Sequence, residues 1–199
     1  MTTTSNDTAT LTKEGIRQYV RRKDKTPLQR TDFDWDAERK YFEANIDGLV
    51  IDCRNIEIKL KIDVGNNNEI IGSNGNEIYA HNDNLIDVNN YNEINAHKGN
   101  WIYADAYNQI NVNNGNKIYA HNENEIDAKD NNEINASLYN DIYARNVNKI
   151  DAKDGNEIYV NNVNKIHAHN GNKIDAKDDN EINADDTNEI DHKGTSQIL

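Results

Sequence analysis

Gly75-Asn76-Glu77-Ile78-Tyr79-Ala80-His81-Asn82 opens an unbroken run of eight-residue units that ends at Thr187-Asn188-Glu189-Ile190-Asp191-His192-Lys193-Gly194. In each of the fifteen copies the second residue is Asn and the fourth is Ile. The sixth is Ala, replaced by Val at Val88, Val112 and Val160 and by His only at His192. A short, strict period means a repeat architecture. Disorder would not hold Ile at a fixed phase.

Asn, Ile and Ala at positions two, four and six share one face of a strand, because side chains alternate along it. Positions three and five then point outward, and they carry Glu, Lys, Gln, Asp, Asn or Tyr almost throughout. Positions seven, eight and one form a corner. Position eight is mainly Asn or Asp and position one is often Gly, residues that tolerate positive φ. The expected fold is an all-β, parallel β-solenoid of octapeptide repeats.

An inward Asn in every unit needs a partner, since an unsatisfied buried amide costs on the order of 1–3 kcal/mol. Stacked amides that bond one another and the corner backbone would supply one. The structural ladder expected from this reasoning includes Asn76, Asn92, Asn108, Asn124 and Asn140, with Ile78, Ile94 and Ile110 packed behind it. Either two or three octads could close a coil. Spacing sixteen matches Tyr91 with Tyr107 and Gly155 with Gly171, whereas spacing twenty-four matches the Asp-Ala-Lys-Asp runs beginning at 127, 151 and 175. Packing favours two. Each octad offers one large apolar side chain, which fills a gap of about 10 Å between two facing sheets and would leave a triangle hollow.

The Asn-x-Ile-x-Ala skeleton over residues 67–194 resembles the Asn-x-Val-x-Gly repeat of the grass ice-recrystallisation-inhibition proteins. That resemblance implies a flat solenoid with an Asn ladder and, as a function, an ice-binding face. The double unit is also similar in length to the coils of bacterial ice-nucleation repeats. The outward positions differ: they carry Glu and Lys and no Thr-x-Thr row.

Upstream of the array the pattern changes. Residues 1–10 are rich in Thr, Ser, Asn and Asp and read as a disordered tail. Residues 11–47 read as a helical cap. Leu11 to Asp24 places Leu11, Ile16, Tyr19 and Val20 on one face after a Thr12 cap. Pro27 marks a break, and Asp34 to Asn45 suggests a second helix carrying Trp35, Tyr41 and Phe42 over the first coil. Residues 48–199 form the solenoid. Within them Ile56, Ile58, Leu60, Ile62 and Val64 alternate as a strand, with Leu60 in the Asn slot, and Asn67 to Asn74 is a degenerate octad.

Charge and chemistry narrow the function. The chain has 199 residues, 35% of them hydrophobic, and a net charge of -13. That balance argues against binding nucleic acid or anionic membranes. Residues 11–30 are nonetheless basic, with Lys13, Arg17, Arg21, Arg22, Lys23, Lys25 and Arg30. Cys53 is the only cysteine, so no intrachain disulfide forms, and it reads as a small buried residue. No secretory pattern opens the chain and no apolar run spans a bilayer. The expected location is the cytosol, a particle, or outside the cell by an unmarked route. No nucleophile–base pair, phosphate loop, HExxH or CxxC is present, so neither an enzyme nor a cofactor is expected. His81 and His97 share a corner in a sixteen-residue coil, and Asp130, Asp154 and Asp178 mark others. Both sets read as solvated residues rather than metal ligands.

One outward set breaks the polar rule. Ile71, Leu85, Trp101, Tyr103 and Tyr119 fall on the same face of a two-sided coil, with Leu85 beside Trp101. Such a patch marks a binding interface. Together with the basic head and the acidic residues of the final octads, it suggests a non-catalytic structural subunit. The expected partner is another copy of the chain, added head to tail into a fibre or oligomer. The alternatives are an ice- or carbohydrate-binding face and an acidic rod that mimics DNA.

Overall fold

The computed structural model describes residues 11–199 and is a two-sided parallel β-solenoid with sixteen residues per coil. The tail expected over residues 1–10 lies outside the described residues. The chain opens with helix α1 (Lys13–Arg17) and strands β1 (Val20–Arg22), β2 (Phe33–Asp36), β3 (Tyr41–Ala44), β4 (Leu49–Asp52) and β5 (Lys61–Val64). From β6 (Glu69–Gly72) each octad contributes one strand, up to β21 (Glu189–Lys193) and β22 (Gln197–Ile198). Even-numbered strands from β4, with β1 at the edge, form one eleven-stranded sheet, here the even sheet. Odd-numbered strands from β3, with β2 at the edge, form the odd sheet.

The register is sixteen throughout the array: Ile102 pairs with Ile118 and Ala104 with Ala120 in one sheet, Ile110 with Ile126 in the other. This decides between the two-octad and three-octad coil. Every array Ile from Ile78 to Ile182 is buried, as are the Ala and Val residues two positions on as far as Ala176. Each buried Ile contributes roughly 1.5–3 kcal/mol of apolar burial. Where the sixth position enlarges to Val88, the preceding coil shrinks to Gly72. A Cβ on Gly72 would stand 2.9 Å from a Val88 methyl, so the pair conserves interior volume across two coils.

The Asn ladder is present as two parallel columns, one at the entry to each sheet. The Asn108 side chain shows the repeating pattern. Its Oδ1 accepts from the Asn92 backbone N–H at 2.8 Å and from Asn92 Nδ2 at 3.0 Å. Its Nδ2 donates to the corner carbonyls of Asn89 and Ala106 and to Asn124 Oδ1. One amide thus ties together three coils. Asn76, Asn92, Asn124 and Asn140 are equally buried.

The corners adopt the positive φ expected of positions eight and one, chiefly at position one in octad after octad. Gly75, Gly99 and Gly115 suit it, but so placed are Asp83, Tyr91, Tyr107, Glu123, Tyr139, Val147 and Val163. Val147 and Val163 follow Asn146 and Asn162, which also have positive φ.

The N-terminal segment covers the first coil, but chiefly with strands. Only Lys13–Arg17 of the expected first helix is helical, capped by the Thr12 hydroxyl accepting from the Gly15 N–H at 3.1 Å. Val20 to Arg22 instead pair antiparallel with β4. The second expected helix is a hairpin. Asp36 Oδ1 accepts from the N–H groups of Glu38 and Arg39 and turns the chain, and Trp35 pairs with Phe42. The physical reason is the same for both. A solenoid's first coil presents unpaired backbone groups, and aromatic and β-branched residues satisfy them as strands. Phe33 and Phe42 stack at 5.0 Å as the terminal layer of the core, with Ile16 also buried there. Arg22 forks onto the buried Asp32 through 2.7 and 2.8 Å bonds and so fixes residues 24–31 against β1. The strand expected from Ile56 begins only at Lys61. Ile56 and Leu60 are buried from a loop, where the Ile56 N–H turns back to the Cys53 carbonyl.

Replacing Asn108 by Ala should orphan the Asn92 N–H and remove the clamp on two corners. We expect a loss of about 2–4 kcal/mol in urea unfolding, since each unsatisfied buried group costs about 1–3 kcal/mol. Asn188→Ala, at the partly buried end of the column, should cost clearly less. Equal effects at the two sites would contradict the ladder's role.

Candidate interaction surface

Inward positions are committed to the coil, so any binding chemistry lies on the outward rows. The even sheet carries the apolar set anticipated from the sequence. Trp101 stands in register between Leu85 and Lys117, and Tyr103 between Asp87 and Tyr119. Trp101 is 45% exposed and Tyr103 36% exposed. Lys117 Nζ lies 5.0 Å from the Trp101 ring centre, and the Tyr103 and Tyr119 rings stack at 4.8 Å. Leu85, Trp101, Tyr103 and Tyr119 therefore form one contiguous surface. Ile71 shares the sheet but is separated from Tyr103 within its row by Asp87.

The two sheets differ in charge, a contrast that reading the array as a single acidic unit misses. On the even sheet, Glu133 lies between Lys117 and Lys149, and Lys165 meets Glu181 at 2.9 Å. On the odd sheet, Glu77 and Glu93 are register neighbours, as are Glu125, Asp141 and Glu157. Partial desolvation, then Glu157 and Glu125 on the flanking coils, raise the pKa of the outward Asp141 carboxyl from its ordinary value. Splitting the octads into odd and even sets would have shown this asymmetry once sixteen was the known period.

A third feature sits at the head. A cleft of about 720 Å³ is lined by Val20, Arg21, Arg22, Lys23, Lys25, Thr26, Leu28, Val50 and Glu69. Four of the seven basic residues of the stretch, Arg21, Arg22, Lys23 and Lys25, thus border one opening. At the opposite end Asp178, Asp179, Asp185, Asp186, Glu189 and Asp191 are exposed. Ile198 and Leu199 there are 49% and 67% exposed.

The remaining candidates have structural places. Cys53 is fully buried, and burial with the nearby Asp52 pushes its thiol up to about 12, which removes the thiolate a nucleophile needs. His81 and His97 meet at the shared corner with ring centres 4.9 Å apart. Asp130 and Asp154 accept hydrogen bonds from Asn146 and Asn170 of the following coil and brace the corner. The structure also gathers Asp151, His167 and His169, a set the sequence reading passes over. The signal was a His-x-His in one octad with Asp sixteen residues earlier.

Asp141→Asn should stabilise the fold at neutral pH. A raised carboxyl pKa means the folded state holds the proton more tightly than the unfolded one. The ionised group therefore destabilises the fold above its folded pKa, and that penalty vanishes as pH falls through the carboxylate range. Melting curves of parent and variant should diverge at pH 7 and converge near full carboxyl protonation; the reverse order would refute the assignment. Trp101→Glu should leave the circular dichroism and melting midpoint unchanged while reducing the size of any oligomer in light scattering. An unchanged particle size against an oligomeric parent would exclude the patch as a contact.

No protein-family model, no curated protein and no solved structure matches this chain, so the functional reading rests on the arrangement of its own residues.

Proposed function

We propose that the protein is a non-catalytic structural subunit, a β-solenoid rod that adds to copies of itself head to tail. The solenoid fold, with its uniform octads and no insertion within the array to build a cleft, suits a structural role. The observation that carries the assembly reading is the charge polarity between the two ends. The head offers the cleft bordered by Arg21, Lys23 and Lys25, with Arg22 there already paired to Asp32. The last octads offer the exposed carboxylates of Asp178, Asp179, Asp185, Asp186, Glu189 and Asp191. Unlike ends that meet without closing a ring generate a filament.

The contact is one of side chains rather than a continued parallel sheet. β1 meets β4 antiparallel, and α1 with the β2–β3 hairpin covers the first coil. Such an electrostatic joint weakens as salt screens it.

Negative-stain electron microscopy of concentrated protein at low ionic strength should show filaments. They should dissociate at about 1 M salt, where the Debye length is ~3 Å. The double change Arg21→Glu with Lys23→Glu should leave single rods under the same conditions. Single rods from the unmodified protein at every salt concentration would rule out head-to-tail assembly.

A further inference from the structure

We propose that Asp151, His167 and His169 form a binding site for a divalent transition metal ion on the outward face of the even sheet. The repeat itself builds the site. His167 and His169 occupy positions five and seven of one octad, and the period of two turns both side chains to the same side. Asp151 is the register partner of His167 on the preceding coil. The His169 N–H donates to the Ala152 carbonyl at 2.9 Å, which extends the ladder past the strand end and holds this corner in place.

The donor atoms stand close to a coordinating arrangement. His169 Nε2 is 3.5 Å from Asp151 Oδ1, the two imidazole centres are 4.7 Å apart, and all three groups offer donor atoms within 4.8 Å of one another. Around a tetrahedral zinc with bonds of about 2.0–2.1 Å, neighbouring ligand atoms are roughly 3.3 Å apart. One pair already meets that spacing, and rotation of side chains on a partly exposed surface brings in the third.

Two imidazoles and a carboxylate select zinc, nickel or copper over calcium and magnesium, which take all-oxygen sets. Three protein ligands leave a position open to water or an outside donor. The electrostatic surroundings are balanced: on the row of His169, Lys153 lies one coil before and Asp185 one coil after.

The other histidines lack this set. Among the described residues, Asp151, His167 and His169 are the one cluster of three potential ligands. His81 and His97 form a pair alone, and His121 meets only Asp105, at 3.2 Å. His-x-His at two outward positions occurs in a single octad, so the site is a local departure from the repeat rather than a product of its regularity.

Isothermal titration of the full chain with zinc chloride in a non-chelating buffer should show one saturable equivalent. His167→Ala and His169→Ala should each weaken binding at least about tenfold, the scale on which even outer-shell partners of metal ligands act. Asp151→Asn should weaken it in the same direction. The double change His81→Ala with His97→Ala should leave it unchanged. Independently of any variant, zinc should protect His167 and His169 of the native protein from diethyl pyrocarbonate, read residue by residue by mass spectrometry. The proposal is overturned by absent saturable uptake, by uptake insensitive to the His167 and His169 changes, by loss through the His81/His97 pair, or by unprotected His167 and His169.

Discussion

The side-chain carbonyl of an inward Asn takes up the backbone N–H of the Asn one coil earlier, and the rest of the molecule depends on that bond. Position two lies where the chain leaves a corner and enters a strand. Its carbonyl already accepts from the next coil, as Asn92 O does from the Gln109 N–H. Its N–H has no sheet partner, and the Asn108 amide carbonyl supplies one at 2.8 Å. The same amide uses its NH2 group to hold corner carbonyls on two coils. Asp lacks the donor and would carry charge into a dry column. Leu lacks both functions, which is why Leu60 is tolerated only in the first array-like coil. There its own N–H still donates to Asn76 Oδ1, and the coil before it is a hairpin that needs no clamp.

The ladder explains why the corners accept strained residues. Left-handed backbone costs an ordinary L-residue roughly 1–2 kcal/mol, and Tyr91, Tyr107, Val147 and Val163 all adopt it. Strain of this kind persists where the surroundings over-determine the geometry. Here each corner is held from above and below by amide bonds, so the side chain at position one is free to vary. Tyr91 and Tyr107 use that freedom to stack at 5.0 Å, and the Tyr107 hydroxyl donates to Glu123 at 3.0 Å.

Freedom outside follows from constraint inside. With Asn, Ile and Ala fixed, the outward rows can be written independently, and neighbours sixteen residues apart stand one strand spacing from each other, about 4.8 Å. Every choice on the surface is therefore a choice of vertical neighbours. The odd sheet stacks carboxylates and raises Asp141; the even sheet alternates lysine with glutamate and gathers Trp101, Tyr103 and Tyr119. A single His-x-His in one octad finds an aspartate below it. Of the expected likeness to ice-recrystallisation-inhibition repeats, the structure shows the β-solenoid and its buried Asn column.

The octad by itself determined the strand period, the inward identity of Asn, Ile and Ala, and the ladder, because an eight-residue repeat leaves one phase that buries Ile without orphaning the amide. It also favoured the two-sided coil, through the volume a single Ile can fill. What only the tertiary structure decided lies where no repeat averages the signal. Residues 33–44 hold aromatic residues at spacings that suit a helix or a hairpin, and the open edge of the first coil selected the hairpin by pairing Tyr41 and Phe42 with β5. The separation of Ile71 from Tyr103 by Asp87 and the meeting of Asp151 with His167 and His169 both depend on which residues become vertical neighbours. That is a consequence of coil closure at sixteen, a long-range event that local sequence encodes only through the packing it makes cheapest.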